Sequence, residues 1–335
     1  MKRPIDLQRE GAAFMNVGSP DDTSPITGMV VIGKMMNVIK ADSIYEVRLA
    51  DEIDPNRTNP SIPNTQQKIL SVGSESEVVG RILLTARNLF KATYLPKNIN
   101  CDEALQLSLE ILKDIVAMSE LCASLKEDER VSMAGIKDNR TTDRSVLLPS
   151  IKNLHHGCAG FVQKADHALS KLYSVALIFF PKARKPFFEG FSETLIVLYG
   201  NGDPFAQCIL GTIPFLKFVR ATRNCIEHPK RDQRIVVRDF SFEPSGEISL
   251  PSIEVIHGRS PHPAISISAF MGDITASLID VTEGMIAGIC SKRVDNSHGG
   301  APFEVVELPE PMRQAKFVRY SYGIIDQSGG IIPAS

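Results

Sequence analysis

In the stretch VRATRNCIEHPKRDQ, residues 219–233, an arginine, an asparagine and a histidine gather where an amphipathic run meets Pro229. These residue types suit proton transfer at an anionic centre. Histidine titrates near neutral pH and can serve as general acid or base. Arginine offers a planar fork of donors to a phosphate, strongest where charge builds during a reaction. Asparagine can orient either group without adding charge. Arg223, Asn224 and His228 are therefore the catalytic candidates. Lys217, Arg220, Lys230, Arg231 and Arg234 are the candidate substrate-binding residues around them. With Arg238 they outnumber Glu227, Asp232 and Asp239, a local basic segment of the kind that holds a phosphate backbone.

A helix must position this group. On an ideal helix at about 100° per residue, Phe215, Val219, Thr222 and Ile226 share one side, with Phe218 and Cys225 beside them. Lys217, Arg220, Asn224 and His228 fall on the opposite face, while Arg223 and Glu227 lie toward one flank. Arg223 and His228 then point about 140° apart, so the pair of one molecule does not converge on a small substrate unaided. Pro229 disfavours helical geometry at His228, which lets the histidine swing out. Alternatively, two copies packed about a two-fold axis bring one chain's arginine near the other's histidine.

Arg223-Asn224-Cys225-Ile226-Glu227-His228 resembles the R-x(4–6)-H signature of the HEPN domains (higher eukaryote and prokaryote nucleotide-binding), in which a polar residue, often asparagine, follows the arginine. A second Arg-x4-His, from Arg293 to His298, sits in a polar, Gly-flanked stretch with valine after its arginine. The resemblance implies a metal-independent endoribonuclease or RNA-binding protein, with RNA as partner, no cofactor and a homodimeric state. RNA carries its own nucleophile, the 2′-OH, so such an enzyme need only orient it, move protons and neutralise the phosphorane. His228 would be the acid or base, Arg223 the phosphate ligand and Asn224 the orienting group. The resemblance also implies an α-helical bundle over about residues 151–292.

The same residues allow a second reading, a non-catalytic helical module that binds a protein or a nucleotide through its polar face. Arg223 and Glu227 are an i,i+4 pair, and a histidine in a last helical turn interacts favourably with the helix dipole. Elsewhere, His155-His156-Gly157-Cys158 lacks a second ligand cluster for a metal, and Asp166-His167 reads as a solvated helix face. No Walker loop or dinucleotide fingerprint is found.

Composition sets the outer bounds. With 335 residues, 43% hydrophobic and 23% charged, the chain can build two globular cores. A net charge of −2 gives no overall pull toward nucleic acid or membrane, so any anion-binding surface must be local. The start lacks the apolar region of a signal peptide and no later run reads as a membrane span, so a cytoplasmic location and no membrane partner are expected. Six cysteines without a C-x-x-C pair fit reduced thiols.

Periodicity and turn residues divide the chain into a polar tail (1–25), a mixed domain (26–150), a helical domain (151–295) and a tail with short strands (296–335). Residues 29–50 read as a hairpin turning at Lys40-Ala41-Asp42, with a short helix as the rival. Asn100 with Glu103 marks a helix start, and Asp203-Pro204 another. Pro214 is expected to kink or restart its helix. The segments IVVRDFSF and ISLPSIEVIH flank a turn and read as a hairpin. The expected fold is mainly α: a C-terminal, HEPN-like helical bundle with an inserted β-hairpin, beside a smaller mixed α/β N-terminal domain.

Overall fold

A computed structural model describes residues 2–11, 16–135, 145–183, 186–296, 302–326 and 330–334. The chain is 48% helix and 19% strand, and its strands form four small sheets spread along the sequence. This overturns the mainly α expectation and with it the C-terminal helical bundle carrying a decorative hairpin. The reason is that helical periodicity is local and easily read. The strands are short and several are only partly buried, so they leave little of the alternation that marks a strand in sequence.

The chain packs as two compact units, residues 1–109 with 290–335, and residues 110–289. These limits differ from those read in the sequence, because the N- and C-terminal segments share one unit and the limits fall inside helices Cys101–Gly135 (α5) and Ile267–Ser291 (α9).

In the first unit the supposed polar tail contains a helix, α1 (Pro4–Glu10). It is tied down by charge: Arg57 pairs with Asp6 and Asp51, and Arg9 with Asp51 and Asp54. Four antiparallel strands follow in sequential order, β1 (Ile26–Ile32), β2 (Met35–Lys40), β3 (Ile44–Arg48) and β4 (Thr65–Leu70). The 29–50 segment is thus more than one hairpin. Its first turn, at Gly33 with φ of 63°, uses a conformation that only glycine adopts without cost. A short helix Ala50–Ile53 (α2) separates β3 from β4. Val17, Val38, Tyr45 and Val47 form a small core against this sheet. Beside it Lys40 is buried, its ammonium donating to Asp22 at 2.7 Å and to the Val17 carbonyl at 3.0 Å.

The helical run after Ser76 is broken into α3 (Glu77–Val79), a π-helical turn (Gly80–Leu84) and α4 (Thr85–Leu89), rather than continuing to Pro96. The Thr85 hydroxyl donates to the Gly80 carbonyl at 2.9 Å and fills the widened turn. Strands β10 (Glu304–Glu307), β11 (Tyr320–Ile325) and β12 (Ile331–Pro333) return to this helix. The Tyr322 hydroxyl donates to the Leu89 carbonyl at 2.7 Å, and Asn88 donates to the Tyr320 carbonyl at 2.8 Å.

Hydrogen bonding by arginines holds Asp6 down to about 2, Arg3 contributing most, and Lys40 holds Asp22 below the usual carboxylate range. A carboxylate depressed on folding stabilises above its unfolded value, near pH 4, and loses that contribution as pH falls through its folded value. The first unit is therefore expected to lose stability from about pH 4 toward pH 2, an interval to be followed by circular dichroism during acid titration.

The second unit holds most of α5, then α6 (Leu154–Phe179), α7 (Phe187–Tyr199), α8 (Pro204–Glu227), and nearly all of α9. The stripe Phe161, Ala165, Leu169, Leu172, Ala176 and Phe179 on α6 is fully buried. The Asn100 signature opens α5, its side chain accepting from the Glu103 amide and donating to the Glu103 carboxylate. Asp203 caps α8 by accepting from the Ala206 amide at 2.9 Å. Helix α8 runs through Pro214 as one element, so the helix does not restart there. Losing one backbone bond there is outweighed by the continuous buried face of Ile209, Leu216, Val219, Thr222 and Cys225.

The expected hairpin is real and larger. Strand β5 (Gln233–Arg238) pairs with β8 (Ser252–His257), the two-residue strands β6 (Ser241–Phe242) and β7 (Ile248–Ser249) extend the same turn, and β9 (His262–Ser266) adds a third strand to β5 and β8. Strands β5 and β8 pack directly on α8, where the Cys225 thiol approaches the Ile256 carbonyl at 3.7 Å. The sheet is thus part of the core. Among the described residues one helix, α9, is long and apolar enough to cross a bilayer, and half of its most apolar window is buried within the protein.

One buried acid is costly. Glu129 on α5 is almost inaccessible, and one of its carboxylate oxygens has no hydrogen-bond partner. Burial pushes its carboxyl up, against the opposing influence of the Ser268 hydroxyl. A raised carboxyl favours folding only while protonated, so its contribution is lost as pH rises above the unfolded value of about 4.3. Glu129→Gln is expected to stabilise the protein at pH 7 and to be neutral near pH 4, as read by urea unfolding at both values.

Candidate functional site

The candidate residues all lie in the second unit, on α8 and the segment that leaves it. The helical wheel predicts the buried face well: Val219, Thr222 and Cys225 are buried, while Phe215, Phe218 and Ile226 are half-buried. Leu216 and Ala221 are also buried, so the face is centred slightly away from Phe215. Lys217, Arg220 and His228 are exposed, and Arg223 and Asn224 are half-buried. The helix ends at Glu227. His228 leaves helical geometry with φ −132° and ψ 60°, the departure that the following proline favours. Its amide still donates to the Asn224 carbonyl at 2.9 Å.

Arg223 is occupied. Its guanidinium pairs with Glu227 one turn on, lies 3.8 Å from the Asp166 carboxylate on α6, and donates to the Asn224 side-chain oxygen at 3.3 Å. Asp166 is therefore not on a solvated face. One of its oxygens is buried without a hydrogen bond, so the arginine is its main compensation. Sequence reasoning misses this residue because Asp166 and Arg223 belong to different helices; the signal available is its place beside the buried Ala165. His167, next to it, is exposed.

The basic residues divide into two sets. Lys217 pairs with Glu189 on α7 at 3.1 Å, Arg220 stacks over the Phe187 ring at 4.6 Å, and Arg238 pairs with Glu254 at 2.9 Å. These cations are spent on packing α8 and β5 against their neighbours. By contrast, among the described residues Lys230, Arg231 and Arg234 have no side-chain partner, and neither has the His228 imidazole. Lys230 and Gln233 close a tight backbone bridge, so the cations sit on an ordered turn and the start of β5.

The structure thus brings Arg223, Asn224 and His228 to one helix end, with the arginine neutralised and the imidazole open. The second Arg-x4-His cannot be compared in full, because His298 lies outside the described residues. His155 and His156 are exposed on the first turn of α6, whereas Cys158 is buried and its thiol is pushed up to about 12 by burial. All six cysteines are free. The chain matches no protein-family model, and no curated protein or solved structure matches it.

Proposed function

We propose that this protein acts on RNA, in the cytoplasm, through the surface where α8 ends. One contrast carries the reading: the cations before the helix end, Lys217, Arg220 and Arg223, are paired with acids or a ring, whereas those just after it, Lys230, Arg231 and Arg234, are free beside an open imidazole. Unpaired cations on an ordered turn gain by exchanging counterions for phosphates. His228 then supplies proton transfer for attack by the 2′-OH, with no metal required, and Asn224 orients the phosphate or the imidazole. Arg223 reaches the phosphate by exchanging Glu227 for substrate, or is supplied by a second copy in a homodimer. From the HEPN resemblance this takes the chemistry of the motif and not the bundle.

The binding step is tested by measuring affinity for single-stranded RNA across a salt series. The variant Lys230→Gln, Arg231→Gln, Arg234→Gln is expected to bind more weakly and to lower the slope of log affinity against log salt by about 2, roughly 0.7 for each phosphate no longer neutralised. An unchanged slope would show that the strip does not meet phosphate.

A second reading, an inert module that docks a protein or nucleotide, is favoured by the two carboxylates around Arg223. It predicts RNA left intact by the parent protein in excess chelator.

A further inference from the structure

The first unit contains a cleft of about 840 Å³ between the start of the four-stranded sheet, helix α4 and the segment that leads into β11. It lies wholly within that unit and owes nothing to the RNA reading. Its volume falls in the range of small-molecule sites, roughly 300–1,000 Å³.

Its chemistry is two-sided. Arg87, Lys91 and Lys316 line it against a single acid, Glu75. Among the described residues Arg87 and Lys91 have no acidic partner, unlike most arginines of this unit. The arginine is also given room: a side chain at Gly28 would collide with its guanidinium, so glycine in β1 lets the group lie against the strand. The π-helical turn immediately before α4 resets the helix phase. Arg87 and Asn88 on α4, and Lys91 just beyond its end, then share the lining with Leu84. The rest of the wall mixes apolar residues with Thr27, Ser74, Gln314 and Ser321. Ile39, Leu308 and Met312 contribute to it, together with the Phe317 ring, over which the Lys316 ammonium sits at 5.0 Å. The C-terminal segment is held there closely, since a Cβ at Gly80 would overlap Phe317.

We propose that this cleft binds a nucleoside phosphate, with the phosphate between Arg87 and Lys91 and the base against Phe317. Paired unneutralised cations need an anion of more than one charge. The adjoining wall, aromatic at Phe317 and apolar at Ile39, Leu308 and Met312, suits a ligand with a flat ring, and Asn88 can hydrogen-bond its polar edge.

The test is isothermal titration of the full chain with ATP, AMP and inorganic phosphate. Saturable binding of ATP and AMP is expected, with inorganic phosphate at least tenfold weaker. Arg87→Gln and Lys91→Gln should each weaken ATP at least tenfold. Lys182→Gln, a surface change in the second unit, should not. Because Arg87 is exposed and unpaired, its variant should fold, which a thermal melt checks; Gly28→Val, which keeps the charge but displaces it, should also weaken ATP. Absence of saturable binding by any of the probes, or undiminished affinity in both charge variants, would overturn the proposal. Phosphate binding as tightly as AMP would overturn the part assigned to Phe317.

Discussion

His228→Ala is expected to lower the rate of RNA cleavage by about 10²- to 10⁴-fold, the usual worth of a positioned acid or base, while RNA affinity stays within about twofold. The separation follows from the geometry. The imidazole is an exposed group beyond the last helical turn, and the cations on Lys230, Arg231 and Arg234 that would hold the phosphates are separate side chains. Removing the ring therefore removes proton transfer and leaves the electrostatic footprint. Single-turnover cleavage in excess chelator measures the first, and a binding isotherm the second.

Arg223 gives the complementary result. It pairs with Glu227 and Asp166, so its donors are partly committed before any substrate arrives. Arg223→Ala should abolish cleavage but also leave the buried Asp166 oxygen without its compensating charge, and so cost stability. Glu227→Gln is the cleaner probe. It weakens one competitor for the guanidinium and should raise cleavage several-fold if the arginine serves the phosphate. Equal rates in the parent, His228→Ala and Glu227→Gln would end the nuclease reading and leave the docking module.

Gly73→Ala should destabilise the first unit by about 3 kcal/mol or more, at or beyond the upper end of overpacking costs. Gly73 is buried in the loop after β4, which passes under the β2–β3 turn. The amides of Ser74 and Glu75 donate to the carbonyls of Lys40 and Ala41 at 2.9 and 3.0 Å. A methyl group at Gly73 would overlap the Lys40 carbonyl, the Ala41 backbone and the Ser43 amide, all main-chain atoms that cannot rotate away. Relief would require lifting the turn that also carries the buried Lys40 ammonium. Gly157→Ala on α6 is the control: a Cβ there meets nothing within 4 Å, and alanine should be neutral or stabilise by up to about 1 kcal/mol. Urea unfolding of both variants decides it; similar midpoints would show that the loop is free to move.

The parts of the fold legible in the sequence are those encoded locally. The α6 stripe, the Asn100 and Asp203 caps and the buried face of α8 follow from residues within a few positions of one another. The hairpin of residues 235–242 with 248–257 is legible for the same reason, as both strands flank one turn. Pro214 does not restart the helix although it is a strong local signal, because the tertiary burial of α8 outweighs it. The N-terminal tail misleads because its helix is held by ion pairs to residues some forty to fifty positions away, which leave no periodic trace.

By itself the sequence determined the identity and order of the groups around residue 223, and the fact that a helix ends there, since side-chain spacing and proline chemistry need no partner. Only the tertiary structure decided which of those groups are available. Asp166 comes from another helix to engage Arg223, Glu189 and Phe187 engage Lys217 and Arg220, and the turn beyond the helix keeps its cations free. The same holds for the nucleotide-sized cleft, whose walls come from opposite ends of the chain. Charge availability depends on neighbours brought together by packing, and packing is a property of the whole chain.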